Sequence, residues 1–252
     1  MPSYGGGKAK LGAEIADIIH EIELANNWDG DYFEPFCGLL GVGMHFAEDG
    51  RKVIACDANE DLILMLKSLQ KGWTPPKTCS RDKYEKIKNS PMHSAERGFI
   101  GIACAYSGIF FAGYRMKDNN QDYFNNTRNG LINMNLENVK FLASNSYTKF
   151  EPAGMTIYCD PPYRGNTFKC EHFDDFDHDE FWDTMRAWSK NNLVIISEYT
   201  APSDFKCVWS KKMKTTFNST NKTKRIEKLF MLKTPANSKN TKRARSRRNN
   251  CK

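Results

Sequence analysis

Apolar residues recur at Ile15, Ile18, Ile19 and Ile22, the spacing of one helical face, so residues 10–25 are expected to form an amphipathic helix. DYFEPF (31–36) then reads as a short strand halted by its proline, and CGLLGVGMHFAEDG (37–50) as a glycine-rich turn opening a helix. RKVIACD (51–57) reads as a buried strand that ends in an acid. ANEDLILMLKSL (58–69) has a capping residue, Asn59, ahead of Leu62, Met65, Leu66 and Leu69, the start of another helix. Strand, helix, strand, helix is the opening of a parallel sheet covered by helices.

The alternation stops at residue 71 and resumes at 139 with VKFLA (139–143), MTIYC (155–159), a helix near 178–190, and LVIIS (193–197). Connections in such domains mostly run about 2–6 residues, so a gap of roughly 68 residues marks an inserted module. It holds Pro75, Pro76 and the stretch RGFIGIACAYSGIFFAGYRMK (97–117). FKCVW and RIEKLFML, within 204–232, read as late strands around a polar loop. The expected organisation is an α/β core from residues 1–70 and 139–235, a Rossmann-like sheet with helices on both faces, and an inserted module over 71–138. The segment 236–252 holds no apolar side chain able to build a core and is expected to be a disordered basic tail.

Charge sharpens this picture. Lys and Arg number 37 against 30 Asp and Glu, a net charge of +7. Residues 236–252 contain three Lys, four Arg and no acid, so they account for the whole excess. A second basic stretch runs from Lys206 to Lys228, preceded by an acidic one with Glu171, Asp174, Asp175, Asp177, Asp179, Glu180 and Asp183. Such segregation fits either a polyanion bound on one side or merely solvated faces. The eight cysteines form no C-x-x-C pair and several sit in apolar runs, so neither disulfides nor a zinc site is expected. No apolar run reaches membrane-spanning length and the N-terminus lacks a signal core, so a membrane or secreted protein is not expected.

Two constellations carry chemistry. In the first, Glu34-Pro35-Phe36-Cys37-Gly38-Leu39-Leu40-Gly41-Val42-Gly43, glycines between strand and helix let a ligand approach the backbone closely. Asp57 lies 19 residues after Gly38, at the end of the next strand, where an acid is expected to hold a ribose hydroxyl. The turn departs from G-x-G-x-x-G and is preceded by an acid. Free amides at a helix N-terminus favour phosphate. Glu34 instead favours a cation such as a sulfonium amino acid, which points to S-adenosylmethionine. An ordinary tight turn is the competing reading of this motif alone.

In the second, Asp160-Pro161-Pro162-Tyr163 follows the apolar strand MTIYC. Two prolines stop the strand, and the turn then presents Asp160, a proline carbonyl and Tyr163 at the sheet edge where ligands bind in open α/β folds. Two acceptors suit the two hydrogens of an exocyclic amine such as adenine N6. Prolines expose carbonyls without competing donors, and a tyrosine ring offers a stacking face for an extruded base. A structural Pro-Pro turn with a surface acid is the alternative.

Together with Tyr4-Gly5-Gly6-Gly7-Lys8, these blocks, EPFCG with CDAN (56–59) and YCDPPY (158–163), occur in an order that resembles the Dam-type (D12) class of N6-adenine-specific DNA methyltransferases, above all its phage and viral members. The resemblance spans roughly residues 4–232 and places a target-recognition module at 71–138. It implies site-specific methylation, from S-adenosylmethionine, of an adenine flipped out of double-stranded DNA. It implies that Tyr4 and Lys8 line the cofactor and target pocket, that Glu34, Phe36, Gly38, Asp57 and Asp160 border the cofactor, and that Asp160, Pro161 and Tyr163 act on the target beside it. Asn145, Ser146 or Tyr147 would lie near the cofactor adenine; in the set of site residues Ser146 stands for the three. No metal is implied. A cognate restriction endonuclease is a partner that the class allows, and the oligomeric state stays open. The expected location is the cytoplasm or, for a virus of eukaryotes, the host nucleus or viral factory.

The alternatives are methylation of cytosine N4 or of RNA, a catalytically weak DNA-binding relative, and a nucleotide-dependent oxidoreductase. Asp160 argues against the cytosine enzymes, which more often carry Ser there. The absence of G-x-G-x-x-G argues against the oxidoreductase.

Overall fold

A computed structural model describes residues 7–115, 121–142, 146–164, 176–213 and 226–233. Its first half runs α1 (Gly12–Asn26), β1 (Asp31–Glu34), α2 (Gly43–Glu48), β2 (Val53–Ala55) and α3 (Glu60–Gln70). Helices α4 (Arg81–Lys88), α5 (Ala95–Ala103) and α6 (Gln121–Ile132) follow. Then come β3 (Val139–Phe141), β4 (Met155–Cys159), α7 (His178–Trp188), β5 (Leu193–Ser197), β6 (Phe205–Lys212) and β7 (Ile226–Leu232).

The strands form one seven-stranded sheet in the order β3-β2-β1-β4-β5-β7-β6. β1 to β5 pair in parallel, and β7 inserts antiparallel between β5 and β6. This is the expected α/β class, a mostly parallel sheet with helices packed on both faces. The chain order reverses between β1 and β4, so the open crevice lies beyond the carboxyl ends of those two strands. Glu34 ends β1 and Asp160 follows β4, which puts both acids at that crevice.

Alternation along each strand divides the core in two. Tyr32, Val53, Val139, Tyr158, Ile195 and Leu229 face the cluster built with α1, α2, α3 and the 71–138 segment. Phe33, Ile157, Cys159, Val194, Ile196 and Phe230 face the other, closed by Phe181, Trp182, Met185 and Trp188 of α7. All five residues of β5 are buried, as a central parallel strand covered on both faces requires.

The described part of 71–138 carries the helices α4, α5 and α6, and α5 packs along α3. Its Tyr84, Phe99, Ile100, Ile102, Phe110 and Phe124 belong to the same apolar cluster as the sheet. The joint is fixed by Asp61 of α3. This fully buried carboxylate accepts from the Ser94 amide (2.8 Å) and pairs with Arg97 and His93. Gly98 lies against the Asp61 backbone where a Cβ would have no room.

Local signals place the helix ends. The Asn59 side chain accepts from the Leu62 amide and starts α3. Asp177 accepts from the amides of Asp179 and Glu180, both at 2.9 Å, and starts α7. The basic tail 236–252, the 214–225 part of the second basic stretch, and Tyr4 and Asn145 lie outside the described residues.

Candidate active site

The glycine turn begins at the end of β1. Gly38 adopts φ 46°, a left-handed conformation that glycine takes at no steric cost. Its amide donates to Asp57 Oδ2 at 2.8 Å, while the Asn59 amide donates to Oδ1 at 2.9 Å. Asp57 thus ties the turn after β1 to the start of α3, and it remains partly exposed.

The N-terminal segment docks onto this turn. A Cβ on Gly12 would fall on the Gly41 carbonyl, and a Cβ on Gly41 would stand 3.1 Å from the Ala9 nitrogen. The Leu11 amide donates to the Lys8 carbonyl at 2.8 Å, curling the chain just ahead of α1. Two glycines in contact therefore let the segment carrying Lys8 lie across the turn, which the spacing of the motifs alone does not reveal.

Lys8 reaches the end of β4. Its Nζ donates to Asp160 Oδ1 at 2.6 Å, stands 3.5 Å from Glu227 Oε1 of β7, and lies 4.8 Å above the Tyr163 ring centre. Burial opposes the charge on Lys8, but the two carboxylates outweigh it and hold the pKa above the ordinary lysine value. Burial pushes the Asp160 pKa up, Lys8 pulls it back, and Glu227 pushes it up again. The Asp160 side chain is 15% exposed, so it remains reachable from the crevice.

Tyr163 is buried; its hydroxyl donates to Glu227 Oε1, and Tyr199 meets its ring edge-on at 4.6 Å. Ser197 Oγ donates to the same Glu227 oxygen at 3.2 Å. Pro161 is buried beside them. Glu198 accepts from the Arg164 amide at 3.0 Å and the Tyr199 amide at 2.6 Å, so it fixes the turn that follows the two prolines. Burial raises its pKa.

The remaining expected residues fall around this centre. Glu34 is 2% exposed, accepts from the Tyr32 hydroxyl at 3.3 Å, and has the Gly43 amide as a backbone donor. Burial, then the nearby Asp160 charge, lifts its pKa well above the carboxylate range. Phe36 belongs to an aromatic group with Tyr147 (5.0 Å), Phe181 (5.8 Å) and Phe176 (5.9 Å). Ser146 opens the short turn that carries Tyr147, its hydroxyl 2.7 Å from that of Thr148. The structure thus joins Lys8, Asp160 and Tyr163 directly and ties Gly38 to Asp57, with Phe36 and Tyr147 in contact.

Sequence reasoning missed Glu227, Ser197, Glu198 and Tyr199. The available signal was an acid inside an apolar strand, Glu227 in RIEKLFML, and a Ser-Glu-Tyr run closing β5.

Among the described residues no helix is long and apolar enough to cross a membrane, and no group of three or more His, Cys, Asp or Glu gathers as a metal site. A mostly parallel sheet thus brings a glycine turn, a strand-end acid and an Asp-Pro-Pro-Tyr turn to its switch point. The family model of the D12 class N6 adenine-specific DNA methyltransferases matches residues 4–100 and 98–231, and the chain belongs to that family. It is a DNA adenine methyltransferase. No curated protein sequence matches the chain.

Proposed function

We propose that the protein transfers a methyl group from S-adenosylmethionine to N6 of one adenine, extruded from duplex DNA at a specific short sequence. The observation that carries this reading is the convergence of Lys8, Asp160 and Tyr163 at the crevice that also holds the Gly38–Asp57 turn.

These residues fit the cofactor. Gly38 and Gly41 keep side chains away from the turn, Asp57 offers a carboxylate at the end of β2, and Glu34 is buried at the end of β1, where its raised pKa leaves it a hydrogen-bonding group rather than a charge. Phe36, Tyr147 and Ser146 stand where an adenine ring would be bordered. The bound cofactor supplies an electrophilic methyl group. The chain does the rest by positioning and electrostatics. Asp160 and the Pro161 carbonyl accept the two amine hydrogens, turn the nitrogen lone pair toward the methyl, and stabilise positive charge as it develops. Tyr163 lines the target pocket, and its ring is available to a base once Lys8 leaves its face.

The DNA lies over the basic side of the sheet. Lys206, Lys211 and Lys212 are exposed on the edge strand β6. Residues 236–252 add seven further cations for phosphate contact. The 71–138 segment reads the sequence, and a companion endonuclease of the same specificity suits such an activity. Incubation with labelled S-adenosylmethionine and, in parallel, duplex DNA or RNA, followed by sequencing that calls modified bases, tests this. N6-methyladenine at one recurring sequence is expected. Label on cytosine N4, on RNA, or on nothing would replace the reading.

A further inference from the structure

We propose that Glu227 is a positioning residue that receives the Lys8 ammonium when the target amine takes its place on Asp160. The inference rests on the adenine reading above and deepens it.

In the site as it stands, Lys8 competes with the substrate. Its Nζ donates to Asp160 Oδ1 at 2.6 Å and neutralises the carboxylate that an exocyclic amine needs as an acceptor. An ammonium expelled from Asp160 cannot remain unpaired in a site where Lys8 is 9% exposed, because an unpaired buried charge is strongly unfavourable. Glu227 Oε1 is 3.5 Å from the same Nζ, too long for a good hydrogen bond and close enough to become one by a small swing of the lysine. The second carboxylate is itself held in place. Tyr163 Oη and Ser197 Oγ both donate to Oε1, and Glu227 sits on β7, paired to β5 on one side and β6 on the other. Its side chain is 10% exposed.

A buried acid with a strand-fixed backbone and two hydroxyl donors is a costly way to satisfy one tyrosine. It is an economical way to keep a cation between two anions. The same movement takes the ammonium off the Tyr163 face, where it now lies 4.8 Å from the ring centre, and so frees ring and carboxylate together for a base. No bond is made or broken in the exchange; one hydrogen bond of Lys8 passes from Asp160 to Glu227.

The test compares binding of two duplexes in the presence of S-adenosylhomocysteine. Both carry the methylated sequence, one with adenine and the other with purine, which lacks the amine, at the target. Binding is measured at pH 8.5, which favours the ionised form of Asp160 when Lys8 is replaced. The wild-type protein should prefer adenine, and absence of that preference sinks the adenine reading and this inference together. Given that preference, Glu227→Gln keeps an acceptor for both hydroxyls but no second anion. It should lose at least about tenfold of the adenine preference, with cofactor affinity unchanged. Lys8→Met combined with Glu227→Gln should recover most of the loss, because no ammonium then competes for Asp160. A Glu227→Gln protein with full adenine preference overturns the proposal alone, as does a double variant no better than the single one. A Glu227→Gln protein that fails to fold overturns it too, since Glu227 would then be a structural acid. Glu227→Asp, with a retracted carboxylate, should fall between the wild type and Glu227→Gln.

Discussion

Lys8 and Asp160 are 152 positions apart and share a 2.6 Å hydrogen bond. The bond exists because two other distant residues, Gly12 and Gly41, touch without side chains between them. Backbone contact at the glycine turn thus sets the side-chain contact at the Asp-Pro-Pro-Tyr turn.

Gly12→Ala should therefore do more than strain a helix start. The added methyl overlaps the Gly41 carbonyl and must push the N-terminal segment off the turn. Overpacking of this kind costs about 1–3 kcal/mol. Thermal unfolding should show that loss, and methylation should fall beyond it, since Lys8 is displaced from Asp160. Activity unchanged in a destabilised protein would show that the docking does not serve the site.

Asp57→Ala should weaken S-adenosylmethionine binding. Loss of a hydrogen bond to a charged group corresponds to about 1.5–3 kcal/mol, read by calorimetry. The structure adds a consequence. Both Asp57 oxygens accept backbone amides, from Gly38 and Asn59, so the variant should also melt at a lower temperature. Unchanged cofactor affinity would remove Asp57 from the cofactor site and leave it a structural clamp.

Tyr163→Phe keeps the ring and, on sequence grounds alone, is expected to keep most activity. Its hydroxyl donates to the buried carboxylate of Glu227, however, so its removal takes one donor from an acid that also faces Lys8. A loss of roughly 1–3 kcal/mol in stability is expected, with the rate within about tenfold of wild type. Tyr163→Ala should lose far more rate. Equal rates for the Phe and Ala variants would exclude a role for the ring.

The acid limb of the rate against pH should lie above the ordinary carboxylate range of about 4, because burial raises the Asp160 pKa and the ionised form is the acceptor. Lys8 lowers that pKa, so Lys8→Met should move the limb further up. Rate profiles of the two proteins decide it. A limb that stays or moves down on removing Lys8 would mean that Asp160 does not control it.

Much of the fold was legible because the parallel strands β4 and β5 are continuous apolar runs and Asn59 is an unambiguous helix cap. The Asp-Pro-Pro-Tyr turn was legible for a similar reason, since prolines end a strand at a defined place. The helices of 71–138 were not assigned. Their apolar faces join the core under α3 and the sheet, and the ion pair of Asp61 with Arg97 pins the joint; neither has a local signature. Glu227 was hidden because an acid in a strand reads as solvent-facing until its partners, Lys8, Tyr163 and Ser197, are brought in from three other parts of the chain.

The central claim is that Asp160 orients and stabilises the target amine. Single-turnover methylation by wild type and Asp160→Ala, with cofactor affinity measured on the same samples, tests it most directly. The account expects a folded variant that binds S-adenosylmethionine normally and methylates about 10²–10³-fold more slowly, the loss typical of one preorganised contact. A stable, cofactor-binding Asp160→Ala protein that turns over at the wild-type rate would contradict it.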